Sequence, residues 1–220
     1  MNIEQPAIAI MADNPRPMLS PYLQGSLDSL CGVYALINGI RWALRNELVS
    51  AKGEHWEELF RKLTNHAIKN RGDLELVSHG VTLYTMIALT HIARVHMRER
   101  HKIELLFRRP FAQSKPLEAG QTLETIEACL HQPNTAVLAA IYGTLDHWCV
   151  VKQLDGQHAY LFDSDRLFRL PKSAFQPQEF IEPHKRRAHV QPGAIILLKA
   201  ANVKSIEHKK FISSLIDNED

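Results

Sequence analysis

With 220 residues, 45% of them hydrophobic and 23% charged, the chain has enough apolar side chain for a substantial core and too little charge for extended disorder. Its formal net charge of +2 carries no sign of the concentrated basic face by which nucleic-acid binding announces itself, so nucleic acid is not an expected partner. Three cysteines at irregular spacing, Cys31, Cys129 and Cys149, suit a reducing compartment better than a disulfide framework, and the cytoplasm is the expected location.

Residues 1–20 contain three prolines and little periodicity, and read as an extended lead-in. The start lacks the basic-then-apolar order of a signal peptide, and no stretch approaches the roughly 18 uninterrupted apolar residues of a membrane span. From Leu30 to Leu44 the chain is apolar almost all round, which predicts a helix in the middle of the domain; Ser26, Asp28 and Ser29 offer capping side chains just before it. The segment 55–72 predicts an amphipathic helix with Trp56, Leu59, Phe60, Leu63 and Ile68 inward and Gly72 near its C-cap. A third helix is expected from Gly80 to about Met97, with Ser78 as cap. His91 and His96 fall five apart on it, a poor spacing for one helix face, and are expected at the surface.

Residues 103–109 read as a short strand closed by Pro110, and 123–132 as a fourth helix ended by Pro133. After that the period changes. TAVLAAIYG, DHWCVVKQL, HAYLFDS, RLFRL and AIILLKA are short β-rich runs, with Asp155-Gly156 as a hairpin turn between the second and third. Helices first and an antiparallel sheet second is an α+β order. The run His184-Lys185-Arg186-Arg187 reads as a solvated basic loop, and 203–220 as a short terminal helix. One domain is expected over 1–200, with 201–220 as a helical tail.

Four positions carry the chemistry expected of this chain. Cys31 stands at the start of the most buried helix, where free N–H groups and a positive partial charge favour a thiolate. Gln24 lies seven residues upstream, where a side-chain amide can face a developing oxyanion. His147 opens a strand, and Asp163 ends the next one across the Asp155-Gly156 hairpin, so a carboxylate can orient the imidazole. Asp165, Asn134 and Asp155 compete with Asp163 for that role. Cys149, two residues beyond His147, allows a metal reading, but no CxxC or HxxxH pair supports it; no metal or other cofactor is expected, and Cys129 and Cys149 are read as core.

Gln, Cys on a helix, His on a strand and Asp on its neighbour form an order that resembles the papain-like cysteine peptidases. Within that group the segments Cys31-Gly32-Val33-Tyr34-Ala35-Leu36, His147-Trp148-Cys149-Val150-Val151 and Tyr160-Leu161-Phe162-Asp163 are most similar to the bacterial peptidases that cut leader peptides after double glycine. The resemblance covers roughly 60 residues in these regions and leaves the helices between them unmatched. It implies a peptidase or related thiol acyl-enzyme chemistry on a protein or peptide substrate, with Cys31 as nucleophile, His147 as base, Asp163 as orienting carboxylate and Gln24 in the oxyanion hole. Acyl transfer to an amine or thiol on the same site, and a catalytically silent partner-binding module, are the rival expectations.

Overall fold

The computed structural model describes residues 19–25, 28–47, 53–72, 80–112, 117–118, 120–176 and 188–203. In chain order the elements are α1 (Cys31–Ala43), α2 (Gly53–Arg71), α3 (Leu83–His101), β1 (Ile103–Arg108), α4 (Gln121–Leu130), β2 (Thr135–Tyr142), β3 (His147–Leu154), β4 (His158–Leu161), β5 (Arg169–Pro171), β6 (His189–Val190) and β7 (Ile196–Asn202). Short 3-10 turns occupy Lys172–Phe175 and Pro192–Ala194. The strands form one antiparallel sheet in the order β1-β7-β2-β3-β4-β5, with β6 paired beside β2. The α+β expectation therefore holds.

The runs 135–142 and 147–154 are nearly continuous in apolar residues because both faces of β2 and β3 are covered. Ala136, Leu138, Ala140, Trp148 and Val150 join the core shared with α1, α2 and α3. The alternate residues Val137, Ala139, Ile141, Cys149 and Val151 join a second core closed by α4, Leu170 and Phe175. Helices α1–α3 thus lie on one face of the sheet and α4 on the other. α1 is the most enclosed, with Val33, Leu36, Ile37 and Ile40 essentially without exposed surface. Each such Leu or Ile contributes about 1.5–3 kcal/mol by leaving water. Gly39 of α1 faces β2 closely, for a Cβ there would lie 3.2 Å from Leu138 Cδ2.

Several element ends differ from the sequence expectation. α3 starts at Leu83, capped by Thr82, whose hydroxyl accepts from Thr85 N; Ser78 lies outside the described residues. The run 166–170 is not a strand along its length. Asp163 Oδ2 accepts from Asp165 N and Leu167 N and so folds the chain into a turn, and β5 begins only at Arg169. β7 continues to Asn202, past the expected domain limit at 200. The terminal helix and the loop 184–187 lie outside the described residues, as does the lead-in before Leu19. Gly72 does close α2 with a left-handed φ of 83°, its N–H donating to Ile68 O.

His91 is exposed on α3, but His96 is not at the surface: it is only 2% exposed. Side-chain direction on the helix carries it toward α2, where the Lys62 ammonium donates to its Nδ1 over 3.1 Å. Its Nε2 is buried without a hydrogen-bond partner. Burial, with Lys62 next, pushes its pKa down to about 4. The rings of His55 and His96 both pack against His101.

Candidate active site

α1 begins at Cys31 itself. Leu30 stands at its N-cap without a side-chain cap, and Leu30 O already accepts from Val33 N and Tyr34 N. The expected capping by Asp28 or Ser29 does not occur. Asp28 instead braces the turn ahead, its Oδ2 accepting from Gly25 N and its Oδ1 from Leu30 N; Ser26 lies outside the described residues. A helix end left without a side-chain acceptor keeps its N–H groups and positive partial charge available to the Cys31 sulfur and to a bound oxyanion.

Two polar residues buried in α1 set the path of the chain before it. Asn38 grips Tyr22 at both ends of its backbone, accepting from Tyr22 N at 2.8 Å and donating to Tyr22 O at 3.0 Å. Arg41 donates to Ser20 O, and its guanidinium stacks 3.8 Å from the centre of the Tyr22 ring. Residues 20–22 are lashed along the helix, which delivers Gln24 to the start of α1. Gln24 is held there from the other side by Ser164. Its N–H donates to Ser164 O at 3.0 Å, and its Oε1 accepts from the Ser164 hydroxyl at 3.5 Å. With the amide oxygen engaged, the amide nitrogen is the end left for a ligand.

His147 is the first residue of β3, and Asp163 follows β4 by two residues. β3 and β4 pair antiparallel, and Phe162 N donates to Val150 O, so the strand ends bring the two side chains together. His147 Nε2 lies 2.6 Å from Asp163 Oδ1. Both residues are buried, 5% and 4% exposed, and Asp163 accepts two further backbone bonds on Oδ2. Cys31, 8% exposed, lines the same cleft as His147 and acts with Asp163 on its protonation. With Nε2 held by Asp163, Nδ1 is the ring nitrogen left for the thiol. Burial works against protonation of His147, but Asp163 and Cys31 outweigh it and push its pKa up to about 10.

The other candidates for the third position are placed elsewhere. Asp165 is exposed and meets Asp163 only through its backbone N–H. Asp155 holds the β3–β4 hairpin through the Tyr160 hydroxyl, Gln157 N and His158 N, which in that order keep its carboxyl down at about 2. Asn134 occupies the left-handed turn before β2, where its carbonyl accepts from Ala200 N. Cys129 and Cys149 are core, as expected. Burial pushes both thiols up, and Cys149 donates to Ala139 O.

Cys31 and His147 open on a cleft of about 390 Å³ that Gln24 also lines. Its far wall, Gly80–Leu83, was not anticipated from the sequence. Trp148 Nε1 donates to Val81 O at 2.7 Å and pins this segment across the start of α1. The approach is so close that a Cβ on Gly32 would lie 2.5 Å from Val81 Cβ, and one on Gly80, at φ 64°, would lie 2.8 Å from Ser29 O. Gly32 beside the cysteine and Gly80 before the third helix were the available signals, although a glycine alone does not say which segment comes near it. Ser164 was missed for a plainer reason: no sequence pattern links it to Gln24, 140 residues away.

A thiol beside an imidazole that a carboxylate orients can exist as a thiolate–imidazolium pair, which supplies a nucleophile and a proton donor together. No helix among the described residues is long and apolar enough to cross a membrane. Scans against protein-family models, curated proteins and solved structures returned no match to this chain.

Proposed function

We propose that the chain is a cysteine peptidase or isopeptidase of papain-like arrangement, acting on a specific protein or peptide. The Cys31 thiolate attacks a substrate carbonyl, and the resulting oxyanion is held by the Gln24 amide and the backbone N–H of Cys31. The His147 imidazolium gives its proton to the leaving amine as the tetrahedral intermediate collapses to a thioester on Cys31. Water then attacks the thioester, His147 takes its proton, and the acid product leaves as the thiolate–imidazolium pair is restored. Asp163 keeps Nδ1 aimed at the sulfur throughout. A reducing compartment such as the cytoplasm suits an enzyme that depends on a free thiol.

The observation that carries this reading is the His147–Asp163 bond beside Cys31 at a helix N-terminus, with Cys31 and His147 lining one cleft. The two other cysteines are buried and protonation-prone, so the thiols should differ sharply in reactivity. Iodoacetamide at pH 6 is expected to label Cys31 well before Cys129 or Cys149, as read by site-mapped mass spectrometry. Equal labelling of the three, or preference for Cys149, would remove the proposal.

A further inference from the structure

Outside the Cys31–His147 pair, the charged side chains that line the cleft are all carboxylates. Asp28, Asp146 and Asp165 line it, and no Lys or Arg among the described residues does. They come from three separate places: the turn before α1, the β2–β3 connection and the turn after β4. Asp146 and Asp165 are exposed. Asp28 holds its turn through backbone N–H groups, with no Lys or Arg in the cleft lining to pair with it. Asp146 stands next to Tyr142, another lining residue, whose phenol is raised by burial and by that carboxylate.

The chain as a whole is slightly basic, at +2, so this acidity is local. Five described cations are engaged away from the cleft: Lys62 and Arg100 with Glu58, Arg94 and Arg98 with Glu104, and Arg41 with Ser20 and Tyr22. A cleft lined by one sign of charge concentrates the field at its mouth and raises the encounter rate of oppositely charged ligands, more at low salt.

We infer that the cleft selects a cationic segment, a peptide carrying Lys or Arg beside the carbonyl presented to Cys31. This inference rests on the proposed thiol chemistry and names the substrate class for it. Asp146 and Asp165 are the specificity determinants, since Asp28 is tied to its turn and the other two project free carboxylates.

The test uses three peptidyl acyloxymethyl ketones that differ only in the residue next to the warhead: Lys, Gln or Glu. Rates of Cys31 modification are read by mass spectrometry at low and high salt. The expected order is Lys, then Gln, then Glu. Lys is expected to lead Glu by about tenfold or more at low ionic strength, and the gap to shrink in about 0.5 M salt, where the Debye length falls to roughly 4 Å from about 30 Å at 0.01 M. The double variant D146N/D165N should bring the Lys-to-Glu ratio close to one. Equal rates with all three probes, or an unchanged ratio in the double variant, overturn the charge selection and leave Cys31 as nucleophile. No modification of Cys31 by any probe overturns both.

Discussion

His147 and His96 are buried to nearly the same degree, yet their protonation is driven in opposite directions. Exposure is 5% for the first and 2% for the second, and burial disfavours the charged imidazolium in both. His147 has a carboxylate and a thiol as partners and rises to about 10; His96 faces the Lys62 ammonium and falls to about 4. Burial pushes both rings toward the neutral form, and the partner decides whether that push is overcome, as at His147, or reinforced, as at His96. At the β3–β4 ends that partner makes the ring a proton reservoir beside Cys31, whereas between α2 and α3 it makes the ring a neutral acceptor.

The largest expected effect comes from breaking the first of these sites. His147→Ala should lower turnover by about 10²–10⁴-fold, the range for a general acid–base group, while thermal melting stays within a few degrees of wild type. A collapsed melting curve at unchanged activity per folded molecule would assign His147 to structure instead. Gln24→Ala should cost roughly 10²–10³ in kcat, the range for one oxyanion donor, and leave iodoacetamide alkylation of Cys31 nearly unchanged, because alkylation forms no oxyanion. Wild-type kcat in that variant would mean another donor fills the hole.

A subtler change sharpens the comparison itself. Wild-type activity should persist until His147 loses its proton, giving an alkaline limb near pH 10. Asp163→Asn removes the charge that raises the imidazole, so the limb should move down by about 1–3 pH units. Asp165→Asn should leave it in place, since that side chain does not meet the ring. Movement of the limb in the Asp165 variant alone would exchange the two assignments.

The smallest effect concerns His96. Its unfolded form takes a proton near pH 6.5 and its folded form only near 4, so stability is lost as pH falls through that window. Melting temperature should drop by on the order of a few degrees between pH 7 and 4.5, and less in His96→Gln, which has no such proton to gain. Parallel slopes in the two proteins would show that groups other than His96 set the acid sensitivity.

The amino-acid sequence by itself determined the α+β class, the buried α1, the strand runs that build β2 and β3, and the hairpin at Asp155-Gly156. All of these are local: they follow from apolar periodicity and turn chemistry within about 20 residues, and tertiary packing reinforces them. It also singled out Cys31, His147 and Asp163, because each stands at or near the end of an element, where a side chain can face an opening, and Gln24 in the lead-in before α1. Tertiary structure alone decided which atoms meet. The preference for Asp163 over Asp165 depends on the strand ends and on two backbone N–H groups turning the chain at Asp163. The burial of His96, against expectation, depends on α2 packing over that side of α3. The grip of Ser164 on Gln24, and of Trp148 on Val81, joins residues 140 and 67 apart in sequence. No local pattern encodes such pairs: each residue's own neighbours are compatible with many partners, and only the packed sheet and helices select one.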